Sequence, residues 1–231
     1  MRKNRSFYRR AQFVAFAMTL FLLSGNLSSQ DFRFSIWTDP MITWLSSDTR
    51  ESENNGLRPG LGFGLSFDKF FADNYAFSTG IFLVNAGGNM VYSDTTVIRL
   101  RSGDTSLPAN KNITYRLQYL SVPLGLKLVT NQIGYITFFT NIGLDPKVLI
   151  GSKCDISDLD IEGENVSEEV KLLNLGYHIN AGIEYSLGGS TALAFGLGYE
   201  NNFLDATHDF EDQAEDLIRM HFLRFKIGII F

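Results

Sequence analysis

Residues Ile218-Arg219-Met220-His221-Phe222-Leu223-Arg224-Phe225-Lys226-Ile227-Gly228-Ile229-Ile230-Phe231 decide the fold of this chain. Leu223, Phe225, Ile227, Ile229 and Phe231 are large and apolar, and Arg224, Lys226 and Gly228 stand between them. Period two makes this a strand with one apolar and one polar face. Its 14 residues rise about 46 Å, or about 32 Å when tilted by about 45°. That is enough to cross a membrane. The run ends on an aromatic residue.

Working outward, the other end of the chain reads as an export signal. Arg2, Lys3, Arg5, Arg9 and Arg10 precede an apolar run from Ala11 to Leu23, and small and polar residues follow to Gln30. This is the pattern of a secretory signal peptide over residues 1–29, cut after Ser29, with one domain over 30–231. The apolar run is short for a membrane helix, and no Cys follows it to carry a lipid anchor. Removing residues 1–29 takes five of the 20 Lys and Arg and none of the 25 Asp and Glu, leaving a net charge near −10. Such a chain is a poor partner for nucleic acid. The single Cys154 cannot form an internal disulfide and is expected in a loop. The remaining chain has no 18-residue apolar run. If it spans a membrane, it does so as a closed barrel.

Seven more stretches alternate. Around residues 33–45, Phe34, Ile36, Ile42 and Trp44 share one parity and Arg33, Ser35, Asp39 and Thr43 the other, with Pro40 marking a bulge or a weak ladder. Leu61 to Phe67, Phe77 to Leu83, Leu120 to Leu128, Ile136 to Leu144, Leu173 to Tyr185 and Leu193 to Phe203 follow the same rule, with a bulge expected at Gly87-Gly88. The connections near 72–75, 131–134 and 188–190 are short. Those near 46–58, 92–112, 152–170 and 205–217 are long and polar. Short inner turns alternating with long outer loops predict an all-β, eight-stranded, antiparallel up-and-down transmembrane β-barrel. A soluble sandwich would not demand that alternation. A lipocalin-like barrel would put its apolar residues inside.

Tyr119-Leu120-Ser121-Val122-Pro123-Leu124-Gly125-Leu126-Lys127 resembles the Y-L-x-[IV]-P-L-x-[LF]-K strand of the PorT-like outer-membrane barrels of Bacteroidetes. The layout and length agree with that family over nearly the whole mature chain. The resemblance implies a small outer-membrane barrel with envelope or surface work, or service to a type IX-like secretion machine. The last strand is similar to the C-terminal strands of bacterial outer-membrane barrels. That likeness makes Phe225, Ile227, Ile229 and Phe231 a signal to the barrel-assembly machinery. Lys226 stands where such signals usually carry Gly.

By parity the inward face carries Arg33, Asp39, Asp68, Lys127, Asp145, Lys147, Glu184, Glu200, Arg224 and Lys226. Five acids and five bases in a narrow barrel predict ion pairs that fill the lumen, since an unpaired buried charge is costly. Counting from the inner rim puts Arg33, Asp68, Lys127, Glu184 and Lys226 in one layer, with Glu184 pairing Lys127 or Lys226. A small-solute channel is the alternative. His178 faces inward beside Asn174, Asn180 and Glu184. His221 faces outward at the outer rim with no Ser or acid evident beside it, so a lipid A-modifying enzyme is the weaker reading and no catalytic residue is assigned. The acidic loops 152–170 and 205–217 lack calcium-loop spacing and read as solvated. Outer-membrane lipid, lipopolysaccharide and a surface or secretion protein are the expected partners, with no metal or cofactor. Trp44, Tyr177, Tyr199 and Phe203 would form an outer aromatic girdle, and Phe77, Tyr185 and Phe231 an inner one.

Overall fold

The computed structural model describes residues 32–49, 52–156, 159–208 and 217–231. The expected leader, 1–29, lies outside them. Among the described residues thirteen strands form: β1 (Phe32–Ser46), β2 (Ser52–Asn54), β3 (Arg58–Ala72), β4 (Tyr75–Tyr92), β5 (Thr96–Leu100), β6 (Gly103–Leu107), β7 (Lys111–Ser121), β8 (Leu124–Val129), β9 (Ile136–Ile156), β10 (Ile161–Asn165), β11 (Leu173–Gly188), β12 (Thr191–Asn202) and β13 (Arg219–Ile230). Pairing runs β1–β3–β4–β7/β8–β9–β11–β12–β13, all antiparallel, and β13 returns to β1. β7 and β8 are one wall strand broken at Val122-Pro123, because Pro cannot donate to the ladder. The result is a closed ring of eight strands. Closure removes every edge that would otherwise leave backbone groups unpaired in lipid.

The apolar parity faces out. Phe63, Ile81, Leu197 and Ile227 are 53, 60, 57 and 49% exposed, while Asp39, Lys147 and Glu200 are fully buried. A water-soluble protein is built the other way round.

Above this band the polarity reverses. Ile113, Tyr115, Leu117 and Tyr119 of β7 are buried inside the ring, and Thr114, Arg116 and Gln118 alternate with them. With Leu45, Met90, Ile98, Leu107, Ile156, Ile218 and Phe222 they form an apolar core within the outer half. The wall therefore extends further than the alternation suggested. The stretch 92–112, expected as a loop, contains the β5–β6 hairpin, and β9 runs through Ile156. Cys154 is buried in this core and does not lie in a loop.

No bulge forms at Gly87-Gly88, since β4 pairs with β7 in unbroken register from Phe82 to Tyr92. The two glycines serve close approach. A Cβ on Gly87 would sit 2.0 Å from the Tyr115 carbonyl oxygen, and one on Gly88 2.5 Å from Leu45. Pro40 weakens the ladder without shifting it. Pairing of β1 to β13 lapses at Asp39 and Pro40 and resumes at Met41 in the same register.

Candidate functional site

The ten charged residues of the inward parity fall into two groups. At the inner end, Lys127 donates to Asp68 at 2.6 Å and lies 2.8 Å from Glu184. Glu184 also accepts from Arg33 at 3.1 Å, and Ser78 donates to Asp68 at 2.6 Å. Arg33 is the open member, with 40% of its side chain exposed. Further up, Glu200 accepts from both Lys147 and Arg224. Asp145 lies 3.7 Å from each of those bases and accepts from Ser121. Arg224 is also 3.6 Å from Asp39, which accepts from Lys226 at 2.7 Å.

The single inner layer expected to include Lys226 is thus corrected. Arg33, Asp68, Lys127 and Glu184 meet, whereas Lys226 joins Asp39. The cause is stagger. Ile227 pairs with Thr38 and Arg224 with Met41, so Lys226 falls at the level of Asp39, six residues along β1 from Arg33. Counting positions from strand ends ignores the shear that closure imposes.

Three inward aromatics separate the groups: Trp37, Phe82 and Phe139, all nearly fully buried. Trp37 donates its indole N–H to Ser66 at 2.8 Å and meets Phe139 edge-on at 6.3 Å. Cations cap them. Lys226 lies 4.9 Å from the Trp37 ring and 5.4 Å from Phe82, and Lys127 lies 5.2 Å from Phe139. Desolvated cations over ring faces are attracted to their negative quadrupole. Glycines make the room. A Cβ on Gly228 would sit 2.5 Å from Trp37, on Gly64 2.5 Å from Phe82 and on Gly182 2.8 Å from Phe139. The sequence carried a signal for this plug, since all three aromatics share parity with the charges and face glycines across the wall. A cavity of about 60 Å³ remains beside them, bordered by Asp68, Lys127, His178 and Arg224. At about 15 Å³ each this holds a few waters. His178 bonds Asn141 there at 2.7 Å.

At the outer rim His221 does have a serine beside it, contrary to expectation. Ser46 Oγ lies 2.8 Å from Nε2, Tyr199 Oη lies 3.0 Å from Nδ1, and Trp44 stacks on the ring at 5.2 Å. The register that sets Trp44 opposite His221 brings the serine in, two residues along β1. No carboxylate joins these contacts among the described residues. The cluster extends the outer aromatic girdle with Trp44 and Tyr199. Toward the inner rim Phe71 meets Phe77 at 4.8 Å and Tyr135 meets Tyr185 at 5.9 Å.

The loop acids are less solvated than expected. Asp155 belongs to β9 and pairs with Arg116 at 2.5 Å. Glu169 is buried and accepts from the Arg99 backbone at 2.6 Å. Asp205 pairs with Lys171 at 2.5 Å and accepts from the Ile218 backbone at 3.0 Å. Asp158, Asp209, Glu211, Asp212, Glu215 and Asp216 lie outside the described residues. Backbone bonds from His208 to Glu169 and from Lys171 to Ala206 tie the last two long connections together.

Comparison with known proteins agrees with the architecture. A family described as "Outer membrane protein beta-barrel domain" matches residues 8–208. Neisserial surface protein A is 11% identical with a TM-score of 0.47, over 85% of this chain and 95% of that one. Ail, the attachment invasion locus protein of Yersinia pestis, is 12% identical at 0.41, over 86% and 98%. The outer membrane protease OmpT of Escherichia coli is 10% identical at 0.46, over 89% and 98%. At such values the likeness bears on no activity. Among curated proteins none matches this chain.

Proposed function

Since the chain belongs to the outer membrane protein beta-barrel domain family, we propose that it is an integral bacterial outer-membrane protein that acts from its outer loops and barrel surface and passes no solute through its lumen. One observation carries this. Each of the ten lumen charges has a counter-charge within 4 Å, and an aromatic layer lies between the two groups. An eight-stranded ring leaves an interior that side chains can fill, so a conduit would have to break buried pairs to open. The work then lies in envelope structure, surface interaction or service to a secretion machine, as the PorT-like strand suggests. The reading is non-enzymatic. Among the described residues no carboxylate joins the Ser46–His221 contact, and a Ser–His pair needs one to orient the imidazole for acyl transfer.

Planar-bilayer recording tests it. The purified barrel is expected to give no resolvable conductance steps in molar salt. Regular steps from the unaltered protein would replace this reading with the channel.

The terminal strand bears on assembly. Phe231 exchanges backbone bonds with Phe34, at 2.8 Å from its own N–H and 3.4 Å to its carbonyl. It sits where the ring closes. Deleting Phe231 is expected to lower the amount of heat-modifiable barrel in the membrane fraction several-fold. An unchanged heat-modifiable band on gels would remove Phe225, Ile227, Ile229 and Phe231 from the role of assembly signal.

A further inference from the structure

An open groove of about 600 Å³ crosses the wall at the outer ends of β3, β4, β7 and β9, bordered by Arg58, Asn85, Arg116, Gln118, Lys153 and Asn165 among others. We propose that it binds the phosphorylated saccharide headgroup of an outer-leaflet lipopolysaccharide. The proposal rests on the outer-membrane reading above and adds a site and a ligand class to it.

Charge makes the first argument. The chain carries a net charge of −5, yet this groove carries three bases. Asp155 pairs with Arg116 at 2.5 Å. Among the described residues no carboxylate pairs with Arg58 or Lys153. The groove thus keeps a local positive excess on a negative protein.

Register makes the second. Arg116 and Lys153 are direct cross-strand partners on β7 and β9. Like charges directly opposite each other destabilise an antiparallel pair. A strand pair that breaks this rule is where a ligand is expected to restore it. A phosphate between the two side chains would do so, because guanidinium offers a fork of donors and ammonium a point charge. Gln118 donates to Asn85 at 2.9 Å across the same groove. Asn165 pairs with Lys153 on the far side. Amide side chains of this kind suit sugar hydroxyls, which both donate and accept.

Position makes the third. On β4, β7 and β9 the groove starts where the outward apolar residues stop. Leu83 is followed outward by Asn85, and Ile150 by Lys153, while Gln118 precedes Leu120. This is the height of the lipid headgroups. The groove volume also lies within the range of small-ligand sites.

The test uses the full barrel refolded in detergent, titrated with a rough lipopolysaccharide that keeps its core phosphates. The same lipopolysaccharide dephosphorylated with hydrogen fluoride, and inorganic phosphate alone, are the comparison probes. The phosphorylated form is expected to bind at least about tenfold tighter than either, and more weakly as salt rises. Lys153→Gln and Arg58→Gln should each weaken it by about tenfold, while Lys69→Gln near the inner rim leaves it unchanged. Equal affinity for the dephosphorylated form would overturn the proposal, as would inorganic phosphate binding as tightly. Unweakened binding by Lys153→Gln, an exposed position that the fold does not need, would also overturn it. Heat-modifiability of the unaltered protein is read in parallel. Its loss would count against the barrel reading, and its retention alongside unweakened binding would count against the groove alone.

Discussion

Glu200→Ala is expected to lower barrel stability by about 3–5 kcal/mol, the cost of leaving buried charge uncompensated. It should cost more than Glu184→Ala, although both remove one lumen carboxylate. Glu200 is fully buried and accepts from Lys147 and Arg224, whose side chains are 0 and 7% exposed. Without it the carboxylates left to the two cations are Asp145 at 3.7 Å from each and, for Arg224, Asp39 at 3.6 Å, with the neutral Asn202 amide oxygen 3.2 Å from Lys147. Glu184 has better-provided partners. Lys127 keeps Asp68 at 2.6 Å, and Arg33 can turn to water. Glu184→Ala should therefore cost about 1–3 kcal/mol. Glu200→Gln, which keeps the acceptor oxygen, should fall between. Urea midpoints of the refolded barrel read all three. If Glu184→Ala proves equal to or worse than Glu200→Ala, the upper group is not the tighter one and the lumen there is wet.

Trp37→Ala should cost a similar amount for a different reason. Truncating a buried aromatic loses its transfer energy and leaves a void, together about 3–5 kcal/mol. Here the void opens onto the cavity of about 60 Å³ that Trp37 already borders. It also strips Lys226 of the ring 4.9 Å away and leaves Ser66 without its indole donor. A joined, larger space between two charged groups admits water, so Trp37→Ala should also raise ion leakage above that of the silent parent. Trp37→Phe, which keeps a ring over Gly228, should restore most of the stability and all of the seal. A variant as tight and as stable as the parent would show that the charge groups close the barrel by themselves.

These two sites differ in how legible they were. The ten lumen charges could be read from parity alone, because a strand side chain can face only two ways. Trp37, Phe82 and Phe139 obey the same parity, but as apolar residues on the polar face they broke the pattern. Their glycine neighbours were the signal that a ring lies across the wall. The outer half was harder. There Ile113, Tyr115, Leu117 and Tyr119 turn inward and Arg116 and Gln118 outward, the reverse of the band below. A reading that assigned one polarity to the whole wall began this strand at Leu120 and left Ile113 to Gln118 out of it.

Alternation, the spacing of short and long connections and the count of eight strands determined the class of this protein before any coordinate. Local chemistry suffices there, since a membrane forces closure once the strands are given. Which charge meets which was beyond that reach. The stagger between β1 and β13 moves Lys226 to Asp39 and away from Glu184, and stagger belongs to the closed ring and to no single strand. The basic groove has the same origin. Arg116 and Lys153 are 37 residues apart in the chain, and only the pairing of β7 with β9 sets their like charges side by side.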